Sequence, residues 1–248
     1  MNKNSEYIES PRAVSEALHA CVPISKIYIG NYINLKQNKG ISEIVRIAQS
    51  QNIKVEKVDK SVLEEHSARG SHQGCLALAK PFEYAKIDNV LETTKDKVKS
   101  LIVILDHIED AGNLGAIARS ALAFGASALI IPNDRAASVT STTYKTSAGA
   151  VFKLPIVKVS NINAVIETLK QNEYWVASAS EHSSENIWDT NLKGKIAMVF
   201  GNEHNGVSKL VLENSDFIVK LPISNIESLN VAQAATACMY EFVRQNNE

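Results

Sequence analysis

The chain has 248 residues, 45% of them hydrophobic and 21% charged, with a formal net charge of −1. That balance fits a soluble globular protein with room for one large or two modest cores and argues against disorder. Its longest apolar runs, Leu101 to Leu105 and Ala126 to Ile131, are too short to span a membrane, and Met1 to Pro11 is polar without a signal-peptide core, so a cytoplasmic location is expected. Cys21, Cys75 and Cys238 stand far apart and the six histidines show no metal-ligand spacing, so neither a disulfide framework nor a metal centre is expected.

In chain order, Ser10-Pro11 opens a first helix, with Ser10 as cap and Val14, Ala17 and Leu18 on one side. Lys26 to Ile29 reads as a strand, Ile41 to Gln51 as a second amphipathic helix, Ile53 to Val58 as an alternating strand and Ser61 to Ser67 as a short helical turn. Gly70 to Gly74 forms a loop before the apolar strand Cys75 to Ala79, and His72 is expected to make a hydrogen bond within that loop. Residues 1–80 therefore make a compact α/β unit. They hold 11 Lys and Arg against 8 Asp and Glu, while the remainder holds 15 against 19. A basic excess of that size points towards a polyanion without establishing one.

Residues 81–98 are charged and lack a sustained apolar pattern, which suggests a linker with at most a short helix. Beyond it Ser100 to Asp106 is almost continuously apolar and β-branched, as in a strand covered on both faces of a parallel sheet. A helix through Ala116 to Phe124 follows. Further strands are expected at Ala128 to Ile131, Ile156 to Val159, Trp175 to Ala179, Ile196 to Phe200 and Asp216 to Leu221, with helices around Ser141 to Ala150, Ile162 to Gln171 and Leu229 to Val243. Alternating elements of this kind build an α/β domain with a mainly parallel sheet, residues 99–248, whose ligands bind beyond the carboxyl ends of the strands.

Three loops at those ends carry the unusual residues. In the first, Asp110 to Arg119, Gly112 and Gly115 allow a tight turn and close backbone approach, and Asn113 and Arg119 can face one pocket. It is neither a GxGxxG nor a P-loop, which speaks against nicotinamide and ATP enzymes. The second, Gly201 to Gly206, sets Glu203 between glycines, where it could pair with Arg119 or stay solvated. The third, Leu221 to Asn230, follows a strand that stops at Pro222 and contributes Glu227, Ser228 and Asn230, with Ser228 at the expected N-cap of the last helix.

Together, NLGAIARSALAFGA, VFGNEHNGVS and LPISNIESLNVAQAATACMYEFVRQ resemble the three motifs of the SpoU/TrmH branch of the SPOUT methyltransferases, over residues 100–245. The intervening IIPNDRAASVTSTTYKTSAGAV and the N-terminal GSHQGCLAL are most similar to the RlmB-type enzymes, which methylate a guanosine ribose 2′-oxygen of large-subunit (23S) ribosomal RNA. The resemblance implies a C-terminal SPOUT domain with a deep trefoil knot, S-adenosyl-L-methionine as cofactor, a homodimer with the alanine-rich helix Leu229 to Val243 as a contact, and a small RNA-binding N-terminal domain. It implies no DNA or membrane partner. By motif matching, Gly201, Leu221, Ile223 and Leu229 hold the cofactor, while Asn113, Arg119, Glu203, Ser228 and Asn230 make the catalytic and substrate-positioning set. Arg119 is cast in the family as general base, but a guanidinium stays protonated. It is better suited to bind the RNA phosphate and stabilise a developing alkoxide, oriented by Glu203 or by Ser228 and Asn230 across the dimer. Two departures stand out: Ala111 where many relatives carry proline, and a third motif one residue shorter, with Asn225 in the bend. The rival readings are a 2′-O-methyltransferase of transfer RNA or of an rRNA adenosine, as in thiostrepton resistance, a catalytically silent RNA-binding protein, and a Rossmann-type dehydrogenase, for which the dinucleotide fingerprint is missing.

Overall fold

Two hydrophobic periods, alternate residues in strands and every third or fourth in helices, build the first sheet. Its elements are β1 (Tyr7–Glu9), α1 (Pro11–His19), β2 (Ile24–Gly30), α2 (Lys39–Ser50), β3 (Lys54–Val58), α3 (Lys60–His66) and β4 (Cys75–Ala79). The computed structural model describes residues 7–19, 22–67, 70, 72–226 and 228–247, so Cys21 and Glu227 lie outside the described residues. The chain divides into two compact units, Met1–Glu83 and Tyr84–Glu248.

In the first unit the strand order is β1-β4-β2-β3, with β2 and β3 parallel and β4 antiparallel to both its neighbours. Val14, Ala17 and Leu18 of α1 and Ile41, Ile44, Ile47 and Ala48 of α2 are buried in its core. Ser10 caps α1 from a left-handed conformation (φ 87°), its Oγ accepting the Ala13 N–H at 3.4 Å. β1 was not foreseen, because three residues carry too little alternation to register. His72 is buried and its Nδ1 accepts the Gly74 N–H at 3.0 Å, the loop role expected of it.

The second unit comprises α4 (Ile87–Thr94), β5 (Ser100–Asp106), α5 (Ala111–Ala123), β6 (Ala128–Pro132), α6 (Ser141–Thr146), β7 (Ile156–Val159), α7 (Ile162–Gln171), β8 (Trp175–Ala179), β9 (Glu185–Asn186), β10 (Lys195–Gly201), α8 (Lys209–Glu213), β11 (Phe217–Lys220) and α9 (Val231–Asn246). The strand order is β7-β6-β5-β10-β8-β11-β9, and every pairing is parallel. All of β5 is buried, as its unbroken apolar run requires. Ile102, Ile104, Val176, Ala197 and Val199 pack with α7 and α8 residues such as Ile166 and Val211 in one cluster.

Three boundaries differ from expectation. Most of the presumed linker belongs to the second unit: Ala85 N–H donates to Ile156 O at 2.7 Å, and Val90 of α4 lies in the core with Ile87 and Leu91 packed against it. The charges around those three apolar residues hid their helical spacing. α6 stops at Thr146 because Ala148 (φ 48°) and Gly149 (φ 80°) turn left-handed. The last helix begins at Val231, two residues later than Leu229. No helix among the described residues is long and apolar enough to cross a membrane.

Candidate functional site

The β5–α5 turn is held at both ends by carboxylates. Asp110 caps α5, its Oδ1 accepting the Asn113 N–H at 2.6 Å. Asp106, 1% exposed at the end of β5, meets His107 Nδ1 at 2.6 Å through Oδ1 and accepts the Ser208 N–H at 2.7 Å through Oδ2. Asn202 Nδ2 donates to His107 O at 2.9 Å. These bonds brace the loop after β5 against the loop after β10. Gly115 serves packing: a Cβ there would stand 1.9 Å from Thr146 Oγ1 and 2.8 Å from Thr143 O, so only glycine lets α6 lie against α5.

After β10 the chain doubles back at once, with Asn202 and Gly206 exchanging backbone hydrogen bonds of 3.1 and 2.8 Å. A Cβ on Gly201 would lie 2.0 Å from the Gly206 carbonyl carbon, so glycine admits the loop's own return. The reversal lifts Glu203 towards α5, where its Oε1 accepts from Asn113 Nδ2 at 2.5 Å. Asn113 Oδ1 in turn accepts from Asn230 Nδ2 at 3.1 Å, and Asn230 Oδ1 accepts the Ala232 N–H at 2.9 Å. One line of hydrogen bonds, Glu203 to Asn113 to Asn230, thus joins all three loops.

The predicted residues are placed unevenly around that line. Asn113, Glu203 and Asn230 come together. The pairing of Glu203 with Arg119 does not occur: Glu203 is taken by Asn113, and Arg119 is exposed on α5, with no hydrogen bond or ion pair to its guanidinium among the described residues. Ser228 does not cap α9. Asn230 does, because its backbone at φ −53°, ψ 137° stands immediately before the first helical residue and its side chain reaches the second. Ser228 is instead exposed on the rim of a cavity.

That cavity, about 310 Å³, opens at the carboxyl ends of β8, β10 and β11. Gly201, Leu221, Ile223, Ser228, Leu229 and Glu203 all line it. Its remaining wall mixes apolar Phe200, Val219 and Val231 with polar Asn202, His204, Asn205 and Lys220. The volume falls at the small end of ordinary ligand pockets. Sequence reading missed the last residue of β8, Ala179, and the segment Ser180 to His182 after it, which also border the cavity. Sheet order was the signal needed, since β8 lies between β10 and β11, and periodicity does not report which strands are neighbours. A second, open groove of about 690 Å³ runs between α5 and α9, lined by Asn113, Ser120, Phe124, Asn230, Thr236 and Tyr240 among others. The line of hydrogen bonds therefore touches both, through Glu203 in the cavity and through Asn113 and Asn230 in the groove.

Comparison with known proteins matches residues 100–240 to the SpoU rRNA Methylase family and residues 7–85 to a domain described as RNA 2′-O ribose methyltransferase substrate binding. A protein of Staphylococcus epidermidis named as a TrmH family tRNA/rRNA methyltransferase is 37% identical over 238 residues, covering 95% of this chain and 94% of the relative. Among solved structures, the SpoU methyltransferase AviRb of Streptomyces viridochromogenes, determined in complex with AdoMet, superposes with a TM-score of 0.70 at 24% identity, covering 98% of this chain and 90% of that one. An RNA 2′-O ribose methyltransferase gives a TM-score of 0.65 at 26% identity, over 98% of this chain and 89% of that one.

Proposed function

We propose that this chain, which belongs to the SpoU rRNA Methylase family, methylates a ribose 2′-hydroxyl of RNA with S-adenosyl-L-methionine, and that its substrate is a guanosine of 23S rRNA. The observation that carries the reading is the meeting of two sites at one line of hydrogen bonds: a small cavity whose apolar and polar walls suit a nucleoside cofactor, and a groove carrying amides, with the exposed Arg119 guanidinium on the same helix, unpaired among the described residues.

The cavity fits the cofactor by chemistry. Leu221, Leu229 and Ile223 offer apolar surface to a purine, while the irregular backbone through 221–226 offers amides and carbonyls that no helix or strand consumes, and Gly201, at the end of β10, brings its backbone to the same wall without a Cβ. S-adenosylmethionine supplies an electrophilic methyl carbon on a sulfonium. The protein must place a ribose oxygen in line with it, which is worth much of the rate. Asn113 and Asn230 fix one another and Glu203, so the acceptor side is organised before RNA arrives. Arg119 holds an RNA phosphate and stabilises the oxygen as its proton passes to solvent water, while the methyl group moves from sulfur to oxygen and S-adenosylhomocysteine is left. Ser228, exposed on the cavity rim, donates to or accepts from the same nucleotide.

The homodimer belongs to this reading. Tyr240 is 58% exposed on α9, edge-on to Phe124 at 6.3 Å between ring centroids, at the open groove between α5 and α9. A second copy packed on the Phe124 and Tyr240 end of that groove, away from Asn113 and Asn230, brings its own loops beside Arg119. The knot expected of the family is part of the same proposal. The first unit is the RNA-recognition element, in keeping with the domain it matches, and the cytoplasm is the proposed location.

The test is transfer from labelled S-adenosylmethionine to separate pools of unmodified ribosomal and transfer RNA, with the product mapped by resistance to alkaline cleavage. Label in a guanosine of large-subunit rRNA is expected. Label confined to transfer RNA would keep the chemistry and overturn the substrate, and no transfer with the cofactor bound would favour a silent RNA-binding protein.

A further inference from the structure

Three strands end at the cofactor cavity, and two of them carry the family motifs, β10 in its 201–206 loop and β11 in its 221–230 loop. β8 lies between them, paired in register with both: Met198 opposite Ala177 on one side and Phe217 opposite Ala177 on the other. The segment that follows it, Ser180 to His182, therefore emerges at the middle of the cavity's rim. Ser180 is anchored there by its N–H, which donates to Val219 O at 2.9 Å. The next residue is Glu181, an exposed carboxylate lining the cavity. Its nearest cationic partner among the described residues is His182, with Nε2 3.6 Å from Oε1, beyond hydrogen-bond reach.

We infer that Glu181 binds the vicinal ribose hydroxyls of the cofactor's nucleoside, an assignment that rests on the proposed methyltransferase reading and adds a residue outside its three motifs. A carboxylate is acceptor-only, with two oxygens side by side, and a cis-diol presents two donors side by side. Acidic residues at the carboxyl ends of parallel strands bind ribose hydroxyls in dinucleotide sites by the same chemistry. Position separates this role from contact with the reacting sulfonium. In the order β5-β10-β8-β11, the acceptor residues Asn113 and Glu203 follow β5 and β10. Glu181 follows β8, one strand further from them, on the side where the cofactor's non-reacting part must lie. The apolar wall of Leu221 and Leu229 takes the flat purine, and the carboxylate takes its sugar.

The test measures, with the full chain, the affinities of S-adenosylhomocysteine and of its 2′,3′-dideoxy analogue by calorimetry for the wild type, Glu181→Ala and Glu181→Gln. Two charge-assisted hydrogen bonds predict about 10- to 100-fold preference of the wild type for the diol. In Glu181→Ala that preference falls to near unity, with an intermediate value in Glu181→Gln. KM for S-adenosylmethionine rises while kcat holds, the signature of lost uniform binding. A variant that retains the wild-type preference for the diol overturns the inference and leaves the methyltransferase reading intact. So does an equal loss for both ligands, which would place the carboxylate against the cationic amino-acid end. A wild type that binds neither ligand refutes the methyltransferase reading itself, and this inference with it.

Discussion

The two ends of the seven-stranded sheet are both polar, but they spend their polar groups differently. At the amino ends Tyr174 Oη donates to Ser100 Oγ at 2.7 Å, Ser100 and Ser127 hydroxyls share a bond of 2.9 Å, and the buried Lys195 donates to Lys95 O at 2.9 Å and to Glu173 at 3.2 Å. These groups satisfy one another, and a closed network of that kind adds stability and no reactivity. At the carboxyl ends the line Glu203–Asn113–Asn230 is satisfied along its length, yet it borders a cavity and a groove, and beside it Arg119 and Glu181 have no hydrogen-bonding partner among the described residues. Unspent polar groups next to a concave surface are what binding requires. The amino ends border a cavity too, of about 350 Å³ beside Ser100 and Ser127, so the contrast is one of pairing: there the hydroxyls satisfy one another, and at the carboxyl ends Arg119 and Glu181 are left, on the proposed reading, to a ligand.

The strongest challenge to this contrast is Arg119→Ala. An exposed guanidinium without a partner among the described residues adds little to folding, so the melting temperature should stay within a degree or so. Methyl transfer to RNA should fall by about 10³-fold, since on the proposed reading it loses both the phosphate contact and the stabilisation of the developing alkoxide. Single-turnover rates beside thermal melts decide it, and a variant that loses stability in proportion to activity would place Arg119 in the scaffold. Next comes Gly201→Ala. The added methyl meets the Gly206 carbonyl carbon at 2.0 Å and displaces the loop. A stability loss of about 1–3 kcal/mol is expected, together with weaker binding of S-adenosylhomocysteine, because that loop walls the cavity. Unchanged affinity would show that the reversal matters only for packing.

Much of this arrangement was legible in the residues. β5, β6, β7, β8 and β10 announce themselves as apolar runs, and the covered sheet follows from the absence of a polar face on β5. The three loops were identified by glycines and isolated polar residues at strand ends. What each glycine does was not legible, since Gly115 yields to α6 and Gly201 to its own loop, and both contacts depend on segments that approach only after folding. The choice of Asn113 over Arg119 as partner of Glu203 is another tertiary outcome. On a helix those two residues lie on different faces, and which one turns towards β10 depends on how α5 packs against α6 and α9. The capping of α9 by Asn230 in place of Ser228 turned on a shift of two residues, well within the uncertainty of any boundary read from propensity. Glu181 escaped notice for a different reason: its loop has no unusual composition, and only its place in the strand order gives it meaning.

The smallest effect tests the other end of the sheet. Tyr174→Phe removes one hydroxyl from the closed network and keeps the ring, which is buried, and with it the Lys195 ammonium 6.0 Å from the ring centroid. Ser100 Oγ retains Ser127 as a partner, so no group is left wholly unsatisfied and the cost should be that of a single neutral hydrogen bond, about 1 kcal/mol. For a unit of this size that lowers the melting temperature by about 2–4 °C. kcat and KM for methyl transfer should not move, because the hydroxyl lies at the amino ends of the strands and the proposed site at the carboxyl ends. A change in kcat at constant stability would mean that the parallel strands transmit displacement along their length, and the two ends would then have to be treated as one site.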